Sequence, residues 1–284
     1  MLVTFNEVLR HAEENNCAAG AFNTPTLECL TAVISAAEEL GAPVILSHAE
    51  LHENAAPLSV IGPIMVLMAK RSKTRVCVLL DHCERLGYLK QTLEIGFTGV
   101  MYDGSALPYD ENVANTKKAV EMAGSYGAGV EGEIGTLAPR EGSLAENAGS
   151  AAAYTDPDLA QSFARETGIA ALAPSFGSVH GLYREKPNFD FGLLKKIKAQ
   201  TGLPLVMHGG SGCSDEDYRK LIACGIRKIN YYSYMAFAGS RAARDCLNAK
   251  ENVLYHDAAA AARNAMKEDA MRAMRVFAGE NGHV

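Results

Sequence analysis

Three histidines, His82, His180 and His208, each stand at or just beyond an apolar run that reads as a β-strand. Three imidazoles pointing into one mouth can hold a Zn2+ ion and leave one coordination position open to a substrate. A lone histidine at a strand end is ordinarily a surface or hydrogen-bonding group. It is the joint placement of three, beside carboxylates, that points to a metal. Asp81 directly precedes His82, Asp103 ends another run, and Glu131 and Glu133 lie two apart within one more. A carboxylate beside a metal can move a proton, and a metal ion can polarise a carbonyl and stabilise an enediolate. Gly209-Gly210-Ser211-Gly212 follows a strand directly and precedes Asp215, where a helix is expected to start. Glycines there let backbone N–H groups approach an anion such as phosphate, and Ser211 adds a hydroxyl. Asn230 and Ser233, from the next strand, belong to the other side of the same pocket. Metal, proton carrier and phosphate pocket together fit metal-dependent aldol chemistry on a phosphorylated substrate.

Such groups must be brought together by elements that are distant in sequence. Strand-like runs are expected at Ala18–Asn23, Pro43–His48, Arg75–His82, Gly99–Asp103, Gly129–Gly135, Ile169–Phe176, Leu203–His208 and Arg227–Tyr232. Several are almost continuously apolar, as parallel strands covered on both faces are. Amphipathic stretches alternate with them, and several run into a glycine stop such as Gly41, Gly168 or Gly202. Eight such units in series predict an α/β fold of the (β/α)8 TIM-barrel type. The 284 residues are expected to form one domain, with extra helices before Ala18 and after His256. In such barrels the chemistry sits at the C-terminal strand ends, and here those ends carry the polar residues named above. The long small-and-polar loop Ala138–Ala153 reads as a functional lid or a disordered segment.

Composition narrows the setting. Hydrophobic residues make up 48% and charged residues 21%, an ordinary globular balance. A net charge of −6 without a long basic run argues against nucleic acid as a partner. No apolar run is long enough to span a membrane. With no export signal and seven scattered cysteines lacking a C-x-x-C, a reducing cytoplasm is expected. Of the remaining histidines, His48 lies at a strand end, whereas His11, His52, His256 and His283 read mostly as solvated.

The pieces AFN (21–23), LLDH (79–82), YDGS (102–105), VEGEIG (130–135), YTDP (154–157), FGSVHGLY (176–183), MHGGSG (207–212) and KIN (228–230) occur in this order. On them the chain resembles the class II, zinc-dependent fructose-bisphosphate and tagatose-bisphosphate aldolases over nearly its whole length. The resemblance implies that His82, His180 and His208 ligate the catalytic Zn2+, with Asp103 and Glu133 near a second metal position. It implies that Asp81 is the acid/base at the C4 hydroxyl of a ketose, and that Glu141, on the long loop, exchanges the enediolate proton. Gly181, Gly209, Ser211, Asn230 and Ser233 match the phosphate site of the dihydroxyacetone phosphate half, where Na+ or K+ is commonly bound. Asn23 matches a polar contact in the pocket. A homodimer or homotetramer is implied.

Departures bear on the substrate. The family's strand-two serine is replaced by Ala49, in the run Ser47-His48-Ala49-Glu50-Leu51-His52. Tyr232 stands where an Asp or Ala helps separate fructose from tagatose substrates in the family. His48 and Tyr232 are therefore candidate specificity residues, and Arg241 and Arg244 candidate holders of a distal phosphate, across a subunit interface or within one chain. The expected reaction is reversible cleavage of a ketose 1-phosphate or 1,6-bisphosphate to dihydroxyacetone phosphate and an aldehyde. A same-family aldolase for a deoxy-keto sugar acid or sulfo-sugar stays open, as does a non-catalytic aldolase-like subunit.

Overall fold

The structure, a computed structural model, describes residues 1–135, 154–178, 187–249 and 251–279. Eight parallel strands close into a barrel in chain order, with the eighth pairing back to the first. They are β1 (Ala19–Asn23), β2 (Val44–Ala49), β3 (Val76–Cys83), β4 (Gly99–Tyr102), β5 (Gly129–Ile134), β6 (Ala171–Pro174), β7 (Leu205–Met207) and β8 (Ile226–Tyr231). The helices are α1 (Phe5–Glu14), α2 (Leu27–Leu40), α3 (Leu58–Arg71), α4 (Leu86–Ile95), α5 (Tyr109–Gly124), α6 (Pro157–Thr167), α7 (Phe191–Thr201), α8 (Asp215–Ala223), α9 (Ser233–Ala249) and α10 (Tyr255–Phe277). All eight expected strands are present, their ends shifted by no more than two residues. The helix expected after His256 begins one residue before it.

Each strand is buried along its whole length, because side chains alternate between barrel axis and helix layer. Ala19, Ala21, Ile45, Cys77, Leu79, Ala171, Ala173 and Val206 form the inner cluster. Phe22, Leu46, Val78, Leu80 and Val100 face outward to the helices. Half of these inner residues are alanines, and α1 uses the room this leaves: its Phe5, Val8 and Leu9 belong to the same inner cluster and close the floor of the barrel. A side chain at Gly99 would meet Cβ of Phe5 at 2.9 Å, so that strand accepts the plug only with glycine. The helix is started by Thr4, whose hydroxyl accepts from the Glu7 N–H, with Glu7 returning the bond. At the far end of the chain α10 packs on α9 and α2. It is tied to β8 where the Tyr231 hydroxyl donates to Asp269 at 2.8 Å and accepts from Arg272 at 2.8 Å. Among the described residues no helix is long and apolar enough to cross a membrane.

The floor plug predicts that Phe5→Ala leaves a cavity under the barrel and lowers unfolding free energy by about 3–5 kcal/mol. Urea titration checks this, and a loss below about 1 kcal/mol would mean that the plug contributes little.

Candidate active site

On β3 alternation points Cys77, Leu79 and Asp81 toward the barrel axis and would point His82 away. The structure breaks that rule at one residue. The β3–β4 register shifts between Leu80 and Cys83, and His82 takes a left-handed backbone with φ of 43°. An inserted residue of this kind re-aims a side chain, and here it brings His82 to the same side as its neighbour Asp81. Such a backbone costs about 1–3 kcal/mol in a non-glycine residue and persists only where its surroundings enforce it. The outcome is a cluster in which ligand atoms of Asp81, His82 and His208 lie within 4.8 Å of one another, all buried. His82, Asp103 and Glu133 form a second cluster by the same measure. The rings of His82 and His208 have centroids 4.4 Å apart. Asp81 caps no helix, since α4 begins only at Leu86. His180, Gly181 and Glu141 lie outside the described residues.

Carboxylates orient both imidazoles. His82 Nδ1–H donates to Asp103 at 2.9 Å, and the N–H and hydroxyl of Ser105 donate to the other oxygen of Asp103 at 3.1 and 2.6 Å. His208 Nε2–H donates to Glu131 at 2.7 Å. Lys228 Nζ forms an ion pair with the second Glu131 oxygen at 2.8 Å and donates to Asn230 Oδ1 at 2.7 Å. Asn230 in turn donates through Nδ2 to Asp81 at 3.1 Å, and that nitrogen also lies 3.1 Å from His208 Nδ1. Asp81, Glu131 and Lys228 are each fully buried.

The site therefore faces four carboxylates, Asp81, Asp103, Glu131 and Glu133, with one fixed side-chain cation, Lys228, among the described residues. The protonation states show the imbalance. Burial disfavours His82 carrying charge, yet Asp81 and the other carboxylates outweigh it and its pKa is pushed up to about 10. Burial followed by the Asp103 charge drives Glu133 well above the usual carboxylate range. Burial also opposes ionisation of Asp103, but the bond from His82 holds its pKa below normal. Buried imidazoles and carboxylates with excess negative charge are the donor set that suits a divalent cation.

Lys228 was not among the site residues expected from sequence, and Glu131 was read only as a strand carboxylate with no role of its own. The available signal was that Lys228 precedes Asn230 by two residues in a buried strand and so shares its inward face. Lys228→Met would strand the Glu131 carboxylate and should lower unfolding free energy by about 3–5 kcal/mol, with most of the loss recovered in Lys228→Met/Glu131→Gln. Urea titration of the single and double variants measures both.

At the mouth, β7 runs into Gly209-Gly210-Ser211-Gly212. A side chain at Gly210 would meet the Asn230 carbonyl at 2.5 Å, and the Gly210 N–H donates to that oxygen at 3.1 Å. Ser211 Oγ accepts from the N–H groups of Tyr232 and Ser233 at 3.0 and 3.1 Å, fastening this loop to the start of α9. Gly209, Ser211, Asn230 and Ser233 are thus gathered at the β7–β8 side, and Asn23, 2% exposed, ends β1 on the neighbouring side. Arg241 and Arg244 are exposed on α9 and outside this cluster.

Two histidine expectations are corrected. His48 was expected near the mouth, but alternation on β2 turns it outward with Val44 and Leu46, and it is fully buried against α4. Its Nε2 lies 2.9 Å from the Tyr88 hydroxyl, which donates to Glu53 at 2.7 Å. The imidazole must therefore be the donor to the phenol oxygen, with a proton on Nε2. His52 was expected in solvent, but it is 7% exposed, with its ring 5.4 Å from that of Tyr232.

Burial, then the proximity of His52, lowers the His48 pKa to about 4, against the pull of Glu53 and Asp81. A histidine neutral in the fold and protonated when unfolded contributes stability that is complete above pH 6.5 and lost as pH falls toward 4. The span corresponds to about 3 kcal/mol. The urea midpoint should fall over this window, and His48→Gln should flatten the dependence. An unchanged slope in the variant would exclude His48 as its source.

A closed barrel whose strand ends gather buried imidazoles, carboxylates and a glycine-rich loop defines a (β/α)8 enzyme. Residues 3–282 match the model of the family described as fructose-bisphosphate aldolase class-II. A fructose-bisphosphate aldolase of Staphylococcus aureus (strain Mu50 / ATCC 700699) is 37% identical over 287 residues, covering 99% of this chain and 98% of its own length. A probable fructose-bisphosphate aldolase of Bacillus subtilis (strain 168) is 38% identical over 288 residues, covering 99% of each. The crystal structure of the YdjI aldolase from Escherichia coli K12 superposes with a TM-score of 0.88 at 30% identity, over 100% of both chains. The chain belongs to the class II fructose-bisphosphate aldolase family, and it is an aldolase, a lyase of carbohydrate metabolism.

Proposed function

We propose that this aldolase reversibly cleaves a ketose 1-phosphate or ketose 1,6-bisphosphate into dihydroxyacetone phosphate and an aldehyde. The observation that carries the reading is the convergence of Asp81, His82 and His208 at one buried point beside Asn230 and the glycine-rich loop. The relatives named fructose-bisphosphate aldolase support a bisphosphate as substrate.

In this reading His82 and His208 hold Zn2+ together with His180. With His82 Nδ1 given to Asp103 and His208 Nε2 given to Glu131, the opposite ring nitrogens would be the ligands, His208 Nδ1 exchanging its contact with the Asn230 amide for the ion, in the usual arrangement in which a carboxylate fixes a ligating imidazole. When bound, the ion supplies Lewis-acid polarisation of the substrate carbonyl. Asp103 and Glu133 offer an alternative position. Gly181, Gly209, Ser211 and Ser233 receive the phosphate, using backbone N–H groups and the N-terminus of α9, with Na+ or K+ as an accompanying ion. Asn230 donates toward the reacting oxygens. Asp81 takes the proton from the C4 hydroxyl as the C3–C4 bond breaks. Its neighbours suit it to that work: burial alone would raise its pKa, but His82, Lys228 and His208 keep the carboxylate ionised. Glu141 returns a proton to the enediolate carbon. Arg241 and Arg244 receive a distal phosphate in a homodimer or homotetramer, and the setting is a reducing cytoplasm.

The Tyr232–His52 contact beside Ala49 favours a second reading, an aldolase of the same kind for a modified ketose phosphate. Coupled assay of dihydroxyacetone phosphate release from fructose 1,6-bisphosphate, tagatose 1,6-bisphosphate and fructose 1-phosphate separates the two. Cleavage of at least one, abolished by chelator and restored by Zn2+, is expected. Zinc-loaded protein inert toward all three would favour the modified ketose. Asp81→Ala should lower kcat by about 100- to 10,000-fold, and normal turnover in that variant would remove Asp81 from its role.

A further inference from the structure

Buried polar atoms without a hydrogen-bond partner are rare in folded proteins and call for an explanation. Three of those in the described residues, Asn23 Nδ2, Ser47 Oγ and His52 Nδ1, lie along one side of the mouth. Asn23 and Ser47 are register partners on β1 and β2, and both continue the inward face of Ala21 and Ile45. Ala49, the next inward residue of β2, pairs with Asp81. Immediately beyond it a short 3-10 turn, Glu50–His52, carries the imidazole back to the ring of Tyr232, which leaves β8 on the other flank of β1.

The turn is held from outside the mouth. Glu50 pairs with Arg85, Glu53 accepts from Tyr88 at 2.7 Å, and Glu53 also accepts from the Leu58 N–H at 3.1 Å. His52 is thus a fixed wall rather than a loose surface group, and it is more than nine-tenths buried. In the reading above, the phosphate end of the substrate lies at β7 and β8 and Asp81 acts at C4 from β3. The part beyond C4, the aldehyde half, is left to the β1–β2 side. No fixed cation serves that side among the described residues: Arg85 is spent on Glu50 and is 64% exposed. Burial lowers the His52 pKa from its ordinary value, and Asp81 is the nearby charge. A neutral imidazole, an amide and a hydroxyl beside a carboxylate suit a hydroxyl group and disfavour an anion.

We propose that His52 is a specificity-determining residue that hydrogen-bonds a hydroxyl on the aldehyde half, so that hydroxylated aldehydes are accepted over their deoxy counterparts. The inference rests on the dihydroxyacetone phosphate-dependent aldolase reading and deepens it. It is tested in the condensation direction on the zinc-loaded full chain, with dihydroxyacetone phosphate and either D-glyceraldehyde or propanal. His52→Phe keeps a ring against Tyr232 and removes the nitrogens, His52→Leu tests the same loss with a smaller side chain, and His52→Gln returns a polar atom. The ratio of kcat/KM for glyceraldehyde over propanal should fall by about tenfold or more in the first two and recover in part in the third. A ratio equal to wild type, whether or not both rates drop together, would overturn the assignment of His52. Solvent deuterium exchange into dihydroxyacetone phosphate by the wild type needs no aldehyde and separates the two levels. Its absence would overturn the underlying reading. Exchange with an unchanged ratio, or with no condensation of glyceraldehyde, would overturn the His52 inference alone.

Discussion

The geometry of the site depends on one departure from strand alternation. Asp81 and His82 are adjacent, and on a regular strand adjacent side chains face opposite ways. The register shift in β3 and the left-handed φ of His82 set both toward the same point. The strain is held in place by what surrounds it: Asp103 fixes the ring, Met101 Sδ lies 3.4 Å from the His82 N–H, and the Asp103 N–H donates to the Cys83 carbonyl at 2.8 Å. A buried carboxylate and a buried imidazole thereby come from consecutive residues, and no loop has to fold over to supply either of them.

The second constraint is charge. Four buried carboxylates around two imidazoles and one lysine form an arrangement that lacks positive charge. The elevated His82 and Glu133 pKa values are its signature. A bound divalent cation would relieve it. The path of hydrogen bonds and one ion pair from Asp81 through Asn230, Lys228 and Glu131 to His208 means that Asp81 and one imidazole share a positioning frame. The floor plug and the α10–β8 ties keep the strands that carry this frame in register.

Much of this was legible in the sequence. Near-continuous apolar runs separated by amphipathic stretches mark parallel strands and their helices, and the polar residues at the run ends mark the mouth. What could not be read followed from backbone detail. Nothing in LLDH announces that its last two polar residues face the same way. His48 and His52 both departed from expectation, because period-two alternation sends His48 outward to be buried against Tyr88, while a single turn of 3-10 helix folds His52 inward. Lys228 went unrecognised because a lysine near a strand end ordinarily reaches solvent, and only barrel closure places it between Glu131 and Asn230.

The most direct measurement is X-ray diffraction from crystals grown with Zn2+, with anomalous data collected on both sides of the zinc absorption edge. The account predicts a single strong anomalous peak in contact with His82 and His208, beside Asp81, with His82 in the left-handed conformation. A fully occupied peak elsewhere, or an extended His82 pointing into the helix layer, would contradict it.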